Sequence, residues 1–391
     1  MKICFISKYP PIEGGVSSYT YWLCKALGER GHKIHIVTNA WEVEDDYREI
    51  IDDEDIEYYQ PKNVFVHNTD PFTIPKFIPI SKCYGERIAS LAIELIKNED
   101  LDLIDSWYIL PYGISGYIAK IFTSKKQILR HAGSDLTRIF HNPQFHSLFL
   151  EILRNVEKIG TNNLMKRKLS ALKIDKKKFF INERNVNTAT FSPNIKKTDI
   201  SCYGKIHEPI LTYIGKSGRY KGIYLLLNAL KRIKENYSLL ILTDISEMHK
   251  LKTYTKNFGI RKKVIFIPFL PPWRIPGIMR SSTVFFQLER GFPVLGHRSM
   301  VVREAMATGI CPIISKEVQR KVGLKIKNNF NAIVVEPNNT VELRDKIKKI
   351  IKKPEDAYEI GRNAYELIKK YENFEEYVRA NEKVYEELLT Y

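Results

Sequence analysis

This chain contains the same local pattern twice: a short apolar strand, a loop with glycines, and a helix that leads to another strand. The first copy starts at residue 2, and the helical spacing of Val16, Tyr19 and Leu23 predicts its helix. The second copy starts with the strand 210–214. Strands that alternate with helices form parallel sheets with right-handed crossovers. The pattern therefore predicts doubly wound, Rossmann-like α/β domains, which bind ligands at the carboxyl ends of their strands.

The length of 391 residues exceeds what one typical hydrophobic core holds. A polar connector covers residues 194–208, immediately before the second copy of the pattern. We therefore predict two domains, the first over residues 1–198 and the second over residues 199–370.

The net charge of +17 favours anionic partners, such as phosphates, nucleic acid or an acidic membrane face, without choosing among them. No zinc-finger spacing or RNA-binding signature is present, which disfavours a nucleic-acid reader. The five cysteines lack metal-ligand spacing, as expected for reduced thiols in the cytoplasm. The apolar start is too short for a signal peptide, and no apolar run approaches the roughly 18 residues of a membrane span. Any membrane contact is therefore expected to be peripheral.

A lone carboxylate, Glu304, lies in a predicted short helix that leads to the strand 311–315. The residues that follow it, Ala305, Met306 and Ala307, are small or apolar and place the carboxylate in a partly dry environment. Buried carboxylates need partners, and the two vicinal hydroxyls of a nucleotide ribose are suitable ones. The alternative is a glutamate on the solvent side of an ordinary crossover helix.

A cationic loop between strand and helix carries Lys216, Arg219 and Lys221 between glycines. Backbone amides and cations at a helix start are typical of a diphosphate site. The Walker pattern fails because Ile210 stands where its first glycine is required, and the dinucleotide fingerprint fails at Ser217. The alternative is a lysine-rich surface turn.

Two further segments follow predicted strands of the first domain. Gly14 and Gly15 would let the backbone approach a ligand and would offer amide donors, although a plain tight turn is the alternative. His131 follows another predicted strand of the first domain, and the nearby Asp135 carries a carboxylate that could orient the His131 ring. A lone histidine is more often structural than catalytic.

Six segments in this order and spacing carry a resemblance to a known family. They are Pro10-Pro11 with Gly14-Gly15-Val16, Gly31-His32-Lys33-Ile34, His131-Ala132-Gly133-Ser134-Asp135, Val186-Asn187 with Phe191 and Pro193, Gly215-Lys216 with Lys221-Gly222, and Glu304-Ala305-Met306-Ala307-Thr308-Gly309. Together they resemble the retaining glycosyltransferases of family four. That resemblance implies the GT-B fold, in which two Rossmann-like doubly wound parallel-sheet domains face a central cleft.

The resemblance also implies a function. The first domain would serve the acceptor, which would be a glycan or a lipid-linked acceptor, and the second would bind a nucleotide-sugar donor, UDP- or GDP-hexose. Neither a cofactor nor a metal is implied, and the terminal helix, residues 371–391, would pack back on the first domain. The protein would be cytoplasmic, with peripheral contact at the inner, anionic membrane face as one option.

Roles for individual residues follow from the same resemblance. Glu304 would bind the ribose hydroxyls. Lys216 and Lys221, with Arg219, would neutralise the diphosphate and stabilise it as the leaving group. The loop of Gly14 and Gly15 would give an amide to the phosphates. The ring of His131 would contact the donor sugar near the reacting centre.

Three positions depart from the family pattern. Lys216 stands where arginine is common and lacks the bidentate fork. Gly296 stands where the family carries a second glutamate, and Glu289 is the predicted substitute, with His297 and Arg298 as alternative contacts to the donor sugar. Thr243-Asp244 replaces the usual Gly-Asp-Gly.

Other functions stay open at this point. The same fold could serve a sugar-nucleotide epimerase, or a phosphorylase, which would need a pyridoxal cofactor. A non-catalytic binder of sugar nucleotides or polyanions is a further alternative, and Gly296 would then mark lost catalysis.

Overall fold

The computed structural model describes residues 1–71, 83–181, 183–218, 220–294 and 298–390. The chain forms two compact units. The first unit comprises Met1–Arg184, Val294–Gly296 and Glu375–Tyr391, and the second comprises Asn185–Pro293 and His297–Phe374. The first unit's main segment ends at residue 184, which is 14 residues before the predicted boundary (198 − 184 = 14). The acceptor and donor roles of the two domains stay predictions.

The described part of the first unit contains a seven-stranded parallel sheet in the order β3-β2-β1-β4-β5-β6-β7. Its strands are β1 (Lys2–Ile6), β2 (Lys33–Thr38), β3 (Val64–Asn68), β4 (Leu103–Trp107), β5 (Lys126–Arg130), β6 (Lys158–Thr161) and β7 (Phe179–Ile181). Strand β4 is buried along its whole length, as expected when helices cover both faces of a parallel sheet.

The described part of the second unit contains a six-stranded parallel sheet in the order β10-β9-β8-β11-β12-β13. Its strands are β8 (Ile210–Ile214), β9 (Ser238–Thr243), β10 (Val264–Pro268), β11 (Val284–Gln287), β12 (Cys311–Ser315) and β13 (Ile333–Val335). In both sheets the first strand lies between the second and the fourth, so the direction of winding reverses beside it. This is the point at which open α/β sheets bind ligands. The predicted fold class, two doubly wound parallel-sheet domains, is confirmed.

Helices cover the two sheets. They are α1 (Gly15–Glu29), α2 (Ile56–Tyr59), α3 (Tyr84–Asn98), α4 (Ile114–Thr123), α5 (Pro143–Asn155), α6 (Asn163–Ala171), α7 (Ile223–Leu230), α8 (Ile245–Asn257), α9 (Ile275–Arg280), α10 (Met300–Ala307), α11 (Lys316–Lys321), α12 (Thr340–Lys352), α13 (Pro354–Ile368) and α14 (Phe374–Thr390). In the ranges that the structure describes, none of these helices is long and apolar enough to cross a bilayer.

A buried polar network ties α14 to the first unit. The guanidinium of Arg130, at the end of β5, donates to both carboxylate oxygens of Asp105 on β4, at 2.8 and 2.7 Å. The hydroxyl of Tyr385 on α14 donates to the same carboxylate at 2.8 Å. Arg130, Asp105 and Tyr385 are all fully buried. Each charge is therefore compensated by a partner, as buried charges require.

Candidate active site

The loop after β8 holds its lysines at the carboxyl edge of the second unit's sheet. The hydroxyl of Tyr213 donates to the carbonyl oxygen of Lys216 at 2.8 Å, and the amide of Lys221 donates to the carbonyl oxygen of Gly218 at 2.8 Å. Gly222 then opens α7 with φ of 81°. A Cβ at Gly222 would lie 2.3 Å from the carbonyl oxygen of Leu288, so only glycine fits there.

The loops after β8 and β11 meet because these two strands are neighbours in the sheet. Glu289, in the loop after β11, is 1% exposed and forms an ion pair with Nζ of Lys221. The side-chain amide of Gln287 donates to the same carboxylate at 2.9 Å. The Nζ of Lys221 also lies 3.8 Å from the centroid of the Phe292 ring, a cation–π distance. The structure thus brings two predicted site residues, Lys221 and Glu289, together.

Glu304 lies on α10 and is half-buried. Among the described residues, no side chain or amide donates a hydrogen bond to its carboxylate. Burial raises the pKa of Glu304 to about 7, and the neighbouring carboxylate of Glu372 adds to the effect. Within the ranges that the structure covers, Glu304 is therefore a partly dehydrated carboxylate without a protein donor, and it can accept hydrogen bonds from a ligand with hydroxyl or amide hydrogens.

Glu372, in contrast, has partners. Its Oε1 lies 2.7 Å from Nε of the buried Arg303, and its Oε2 accepts a hydrogen bond from the amide of Val186 at 2.6 Å. Burial raises the pKa of Glu372, while the charges of Arg303 and Arg298 oppose that rise. The exposed Arg298 is therefore close enough to Glu372 to act on its charge. Arg303 and Glu372 were not among the predicted site residues, and the only sequence signal for Arg303 is its position beside Glu304.

The raised pKa of Glu304 predicts a pH dependence of stability. Because this pKa lies above the ordinary value of 4.5, the carboxyl group stabilises the folded state fully below pH 4.5 and loses that contribution as the pH rises through about 7. We expect the free energy of unfolding of the wild type, relative to the non-titrating variant Glu304→Gln, to fall by up to about 3 kcal/mol over this interval. Urea unfolding of the wild type and of Glu304→Gln at pH 5 and at pH 8 measures this difference in the free energy of unfolding. Equal differences at the two pH values would contradict the prediction.

His131 lies directly after β5 in the first unit and is half-buried. Its Nε2 lies 2.7 Å from Oγ1 of Thr161, while its buried Nδ1 has no hydrogen-bond partner among the described residues. Burial lowers the pKa of His131 to about 3, and the positive charge of Arg184 adds to the effect. The imidazole is therefore neutral at physiological pH and can donate or accept, but it carries no charge.

The hypothesis that Asp135 orients His131 is wrong. The carboxylate of Asp135 accepts hydrogen bonds from the backbone amides of Ile109 at 3.2 Å, Ala132 at 3.2 Å and Leu136 at 3.0 Å. Aspartate side chains readily satisfy backbone amides at the start of a helical turn, and these amides compete with the ring. Thr161, at the end of the neighbouring strand β6, is the partner that sequence reasoning missed.

Gly14 and Gly15 form an open approach to the start of α1. Both are exposed, and no atom lies within 4 Å of a Cβ built at either position. Gly14 has φ of 118°, and no side chain caps the helix. The backbone of the two glycines is thus open, whereas the next residues of α1, Val16 and Ser17, are buried. The phosphate contact stays a prediction.

The remaining predicted positions are distributed as follows. Arg219, Gly296 and His297 lie outside the described residues. Asp244 caps α8, because its Oδ1 accepts from the amide of Glu247 at 3.0 Å. Ser217, which was used only to exclude a motif, is 1% exposed, and its Oγ has no partner in the described ranges. The same ranges contain no group of three or more His, Cys, Asp or Glu side chains that could hold a metal ion.

Comparisons with known proteins agree with this architecture. The family described as glycosyl transferases group 1 matches residues 203–367, and the family described as glycosyltransferase family 4 matches residues 13–164. An uncharacterized glycosyltransferase from Methanocaldococcus jannaschii is 27% identical over 360 residues, which cover 89% of this chain and 87% of that protein.

Solved structures show the same fold. A sucrose-phosphate synthase from Thermosynechococcus elongatus aligns over 100% of this chain and 99% of its own, with a TM-score of 0.69 and 18% identity. The Anabaena protein HepE in complex with UDP-glucose aligns over 98% and 99%, with a TM-score of 0.66 and 13% identity. The chain belongs to the family four glycosyltransferases and has the GT-B fold.

Proposed function

We propose that this glycosyltransferase moves a hexose from a nucleotide-sugar donor to a glycan or lipid-linked acceptor, with retention of the anomeric configuration and without a metal ion. The observation that carries the proposal is a set of complementary groups in the second unit. A half-buried carboxylate that has no donor among the described residues, Glu304, belongs to the same unit as two lysines in a helix-start loop, Lys216 and Lys221. A nucleoside diphosphate offers both hydroxyls and negative charge.

In this proposal the ribose of the donor supplies what Glu304 lacks. Two vicinal hydroxyls donate to the two oxygens of one carboxylate, and hydrogen bonds to an ionised acceptor are stronger than neutral ones. Burial raises the pKa of Glu304 to about 7. Because the ribose hydroxyls would donate to the ionised carboxylate, their binding would favour that form and lower the pKa of Glu304.

The diphosphate would be held by Lys216, Lys221 and the amides of their loop. Lys221 is paired with Glu289. Because an ammonium group has three N–H donors, Lys221 can bind a phosphate oxygen and keep its contact with that carboxylate. Glu289 then remains close to the reacting end of the donor, where the missing carboxylate at Gly296 was expected to act.

In the transfer step, the bond between the anomeric carbon and the diphosphate oxygen breaks. A bond from the acceptor hydroxyl oxygen forms on the same face, and the acceptor proton passes to the departing diphosphate. The lysines stabilise the charge that develops on this leaving group. We propose that the neutral ring of His131 contacts the transferred sugar. The open loop of Gly14 and Gly15 is proposed to contact the phosphates. The enzyme would act in the cytoplasm.

A donor screen tests the proposal. We expect UDP, GDP or ADP, together with its hexose conjugate, to raise the melting temperature, because a ligand at about 100 times its Kd adds roughly 2.7 kcal/mol to the stability of the native state. UDP-glucose is the first candidate, because the aligned HepE structure contains it. NMR of the transfer product should show that the transferred sugar keeps the anomeric configuration of the donor. Addition of EDTA should not reduce the rate of transfer.

Each part of the proposal can fail separately. An inverted product would contradict retention, and loss of activity in EDTA would contradict metal independence. If no nucleotide shifts the melting temperature, a polyanion-binding protein of the same fold becomes the better explanation.

A further inference from the structure

A cavity of about 320 Å³ lies in the second unit, at the start of strand β13. The turn that precedes β13, the second half of α12 and the first half of α13 form its lining. Because the strands of this sheet are parallel, the cavity lies opposite the carboxyl ends of β8 and β11, from which the proposed donor loops extend. Its volume falls within the range of roughly 300–1,000 Å³ that small-molecule sites have.

The wall of the cavity is partly apolar. Ile333, Ile350 and Ile360 line it and are 3%, 2% and 8% exposed. Phe330 also lines the cavity but is 53% exposed, so much of its ring contacts solvent. The Nζ of Lys327 lies 5.9 Å from the centroid of this ring, a cation–π distance that involves one of the two ring faces. A ligand in the cavity can therefore contact an aromatic ring beside a buried aliphatic wall.

The turn that carries Phe330 is held by asparagine side chains. The Oδ1 of Asn331 accepts from the amide of Lys327 at 2.8 Å, and the Oδ1 of Asn328 accepts from a backbone amide of β13 at 2.9 Å. The Nδ2 of Asn363 on α13 donates to the carbonyl oxygen of Phe330 at 3.1 Å. The backbone at Phe330 is therefore fixed before a ligand binds, which reduces the entropy lost on binding.

Polar groups of the lining remain available to a ligand. The Nζ of Lys346 donates to Oδ1 of Asn329 at 3.1 Å, so the amide hydrogens of Asn329 stay open. Among the described residues, no hydrogen bond engages those hydrogens, the Oδ1 of Asn363 or the carboxylate of Glu359. The lining thus offers both donors and acceptors.

The charges that line the cavity cancel. They belong to two lysines and two carboxylates, namely Lys346, Lys349, Asp356 and Glu359. The Nζ of Lys349 lies 3.3 Å from the carboxylate of Asp356, and Lys353, which does not line the cavity, lies 3.0 Å from the same carboxylate. Although the whole chain has a net charge of +17, this lining gives an anionic ligand no net attraction. A neutral ligand with many hydroxyl groups fits it better.

We propose that this cavity binds a neutral oligosaccharide. A sugar ring presents C–H groups on its faces and hydroxyl groups around its edge. The C–H groups would pack against the ring of Phe330, because the face of an aromatic ring carries partial negative charge. The hydroxyl groups would donate to Asn363 and Glu359 and accept from Asn329. The proposed donor site instead relies on lysines and on Glu304.

A glycan held in this cavity would stay near the enzyme between transfer events. Tethering one part of a molecule raises the effective concentration of its other parts at a second site. The cavity would therefore favour repeated use of one glycan chain. This consequence rests on the proposed glycan acceptor, whereas the binding of an oligosaccharide does not, so a binding assay without nucleotide keeps the two proposals separate.

An array of neutral and sulfated oligosaccharides, probed with the full chain, tests the proposal. The wild type should bind neutral oligosaccharides, equally well in about 0.1 M and about 1 M salt, because no net charge is neutralised. Phe330→Ala should weaken this binding about tenfold or more, since it removes the aromatic surface. Phe330→Leu, which lacks the flat ring, should weaken it too, whereas Phe330→Tyr should bind as the wild type does. Saturation-transfer NMR with the bound oligosaccharide measures each variant.

Tyr358→Ala is the matched control. Tyr358 lies on α13 and is 58% exposed, but it does not line the cavity, so its loss should leave binding unchanged. The melting temperature of each variant without ligand shows that it folds. Wild-type protein that binds no neutral oligosaccharide, or that binds only sulfated ones and releases them at high salt, overturns the proposal. So does a Phe330→Ala or Phe330→Leu variant that binds as tightly as the wild type.

Discussion

Replacing Glu304 with alanine should abolish the thermal stabilisation by the cognate nucleotide and lower kcat/KM by about a hundredfold or more. A hydrogen bond to a charged group contributes roughly 1.5–3 kcal/mol, and the proposed ribose contact makes two of them. Because the ribose is remote from the reacting bond, most of the loss should appear as a higher KM rather than a lower kcat. Calorimetric titration with the nucleotide and initial-rate kinetics measure the two effects.

Two variants separate binding from folding. Glu304→Gln keeps the shape and one acceptor oxygen, so it should show an intermediate loss. Glu336→Ala removes a carboxylate of the same unit that is 46% exposed and paired with Lys316, and it should leave nucleotide binding unchanged. If Glu304→Ala binds the nucleotide as the wild type does, the ribose contact is wrong and the carboxylate acts only on stability.

The fold could be predicted because its signals are local. Short, mostly apolar runs such as β1 and β8, followed by glycine-containing loops, predict buried parallel strands from the sequence alone. The same reasoning predicted a partly dry environment for Glu304, and its small neighbours Ala305 and Ala307 are indeed fully buried.

The partners within the site could not be predicted, because they depend on which strands are neighbours. Lys221 and Glu289 are 68 residues apart and meet only because β8 lies beside β11. The ring of His131 forms a hydrogen bond with the hydroxyl of Thr161, which is 30 residues away in the sequence and lies on the neighbouring strand. The sequence had instead suggested Asp135, only four residues away. Proximity in sequence was misleading there, because backbone amides within the same turn compete for an aspartate.

Replacing Arg130 with alanine should destabilise the first unit by about 3–5 kcal/mol, the typical cost of removing one partner of a buried ion pair. Arg130 and Asp105 are both fully buried, so the variant leaves an uncompensated carboxylate whose remaining side-chain donor is the hydroxyl of Tyr385. Since that hydroxyl belongs to α14, the helix should loosen together with β4 and β5. Amide hydrogen exchange measures each region separately, which matters because two units do not necessarily unfold in one transition.

Removing the whole network should cost far less than breaking it. The triple variant Arg130→Met/Asp105→Leu/Tyr385→Phe has no buried charge to compensate, and such replacements are often neutral or stabilising. Lys158→Ala, which breaks an exposed pair with Glu387, should cost only about 0–1 kcal/mol. If Arg130→Ala costs no more than Lys158→Ala, or if exchange in α14 stays at the wild-type rate, the buried pair does not hold the terminal helix. A large cost for Arg130→Ala beside a small one for the triple variant would instead show that the network's charges must be matched for α14 to stay in place.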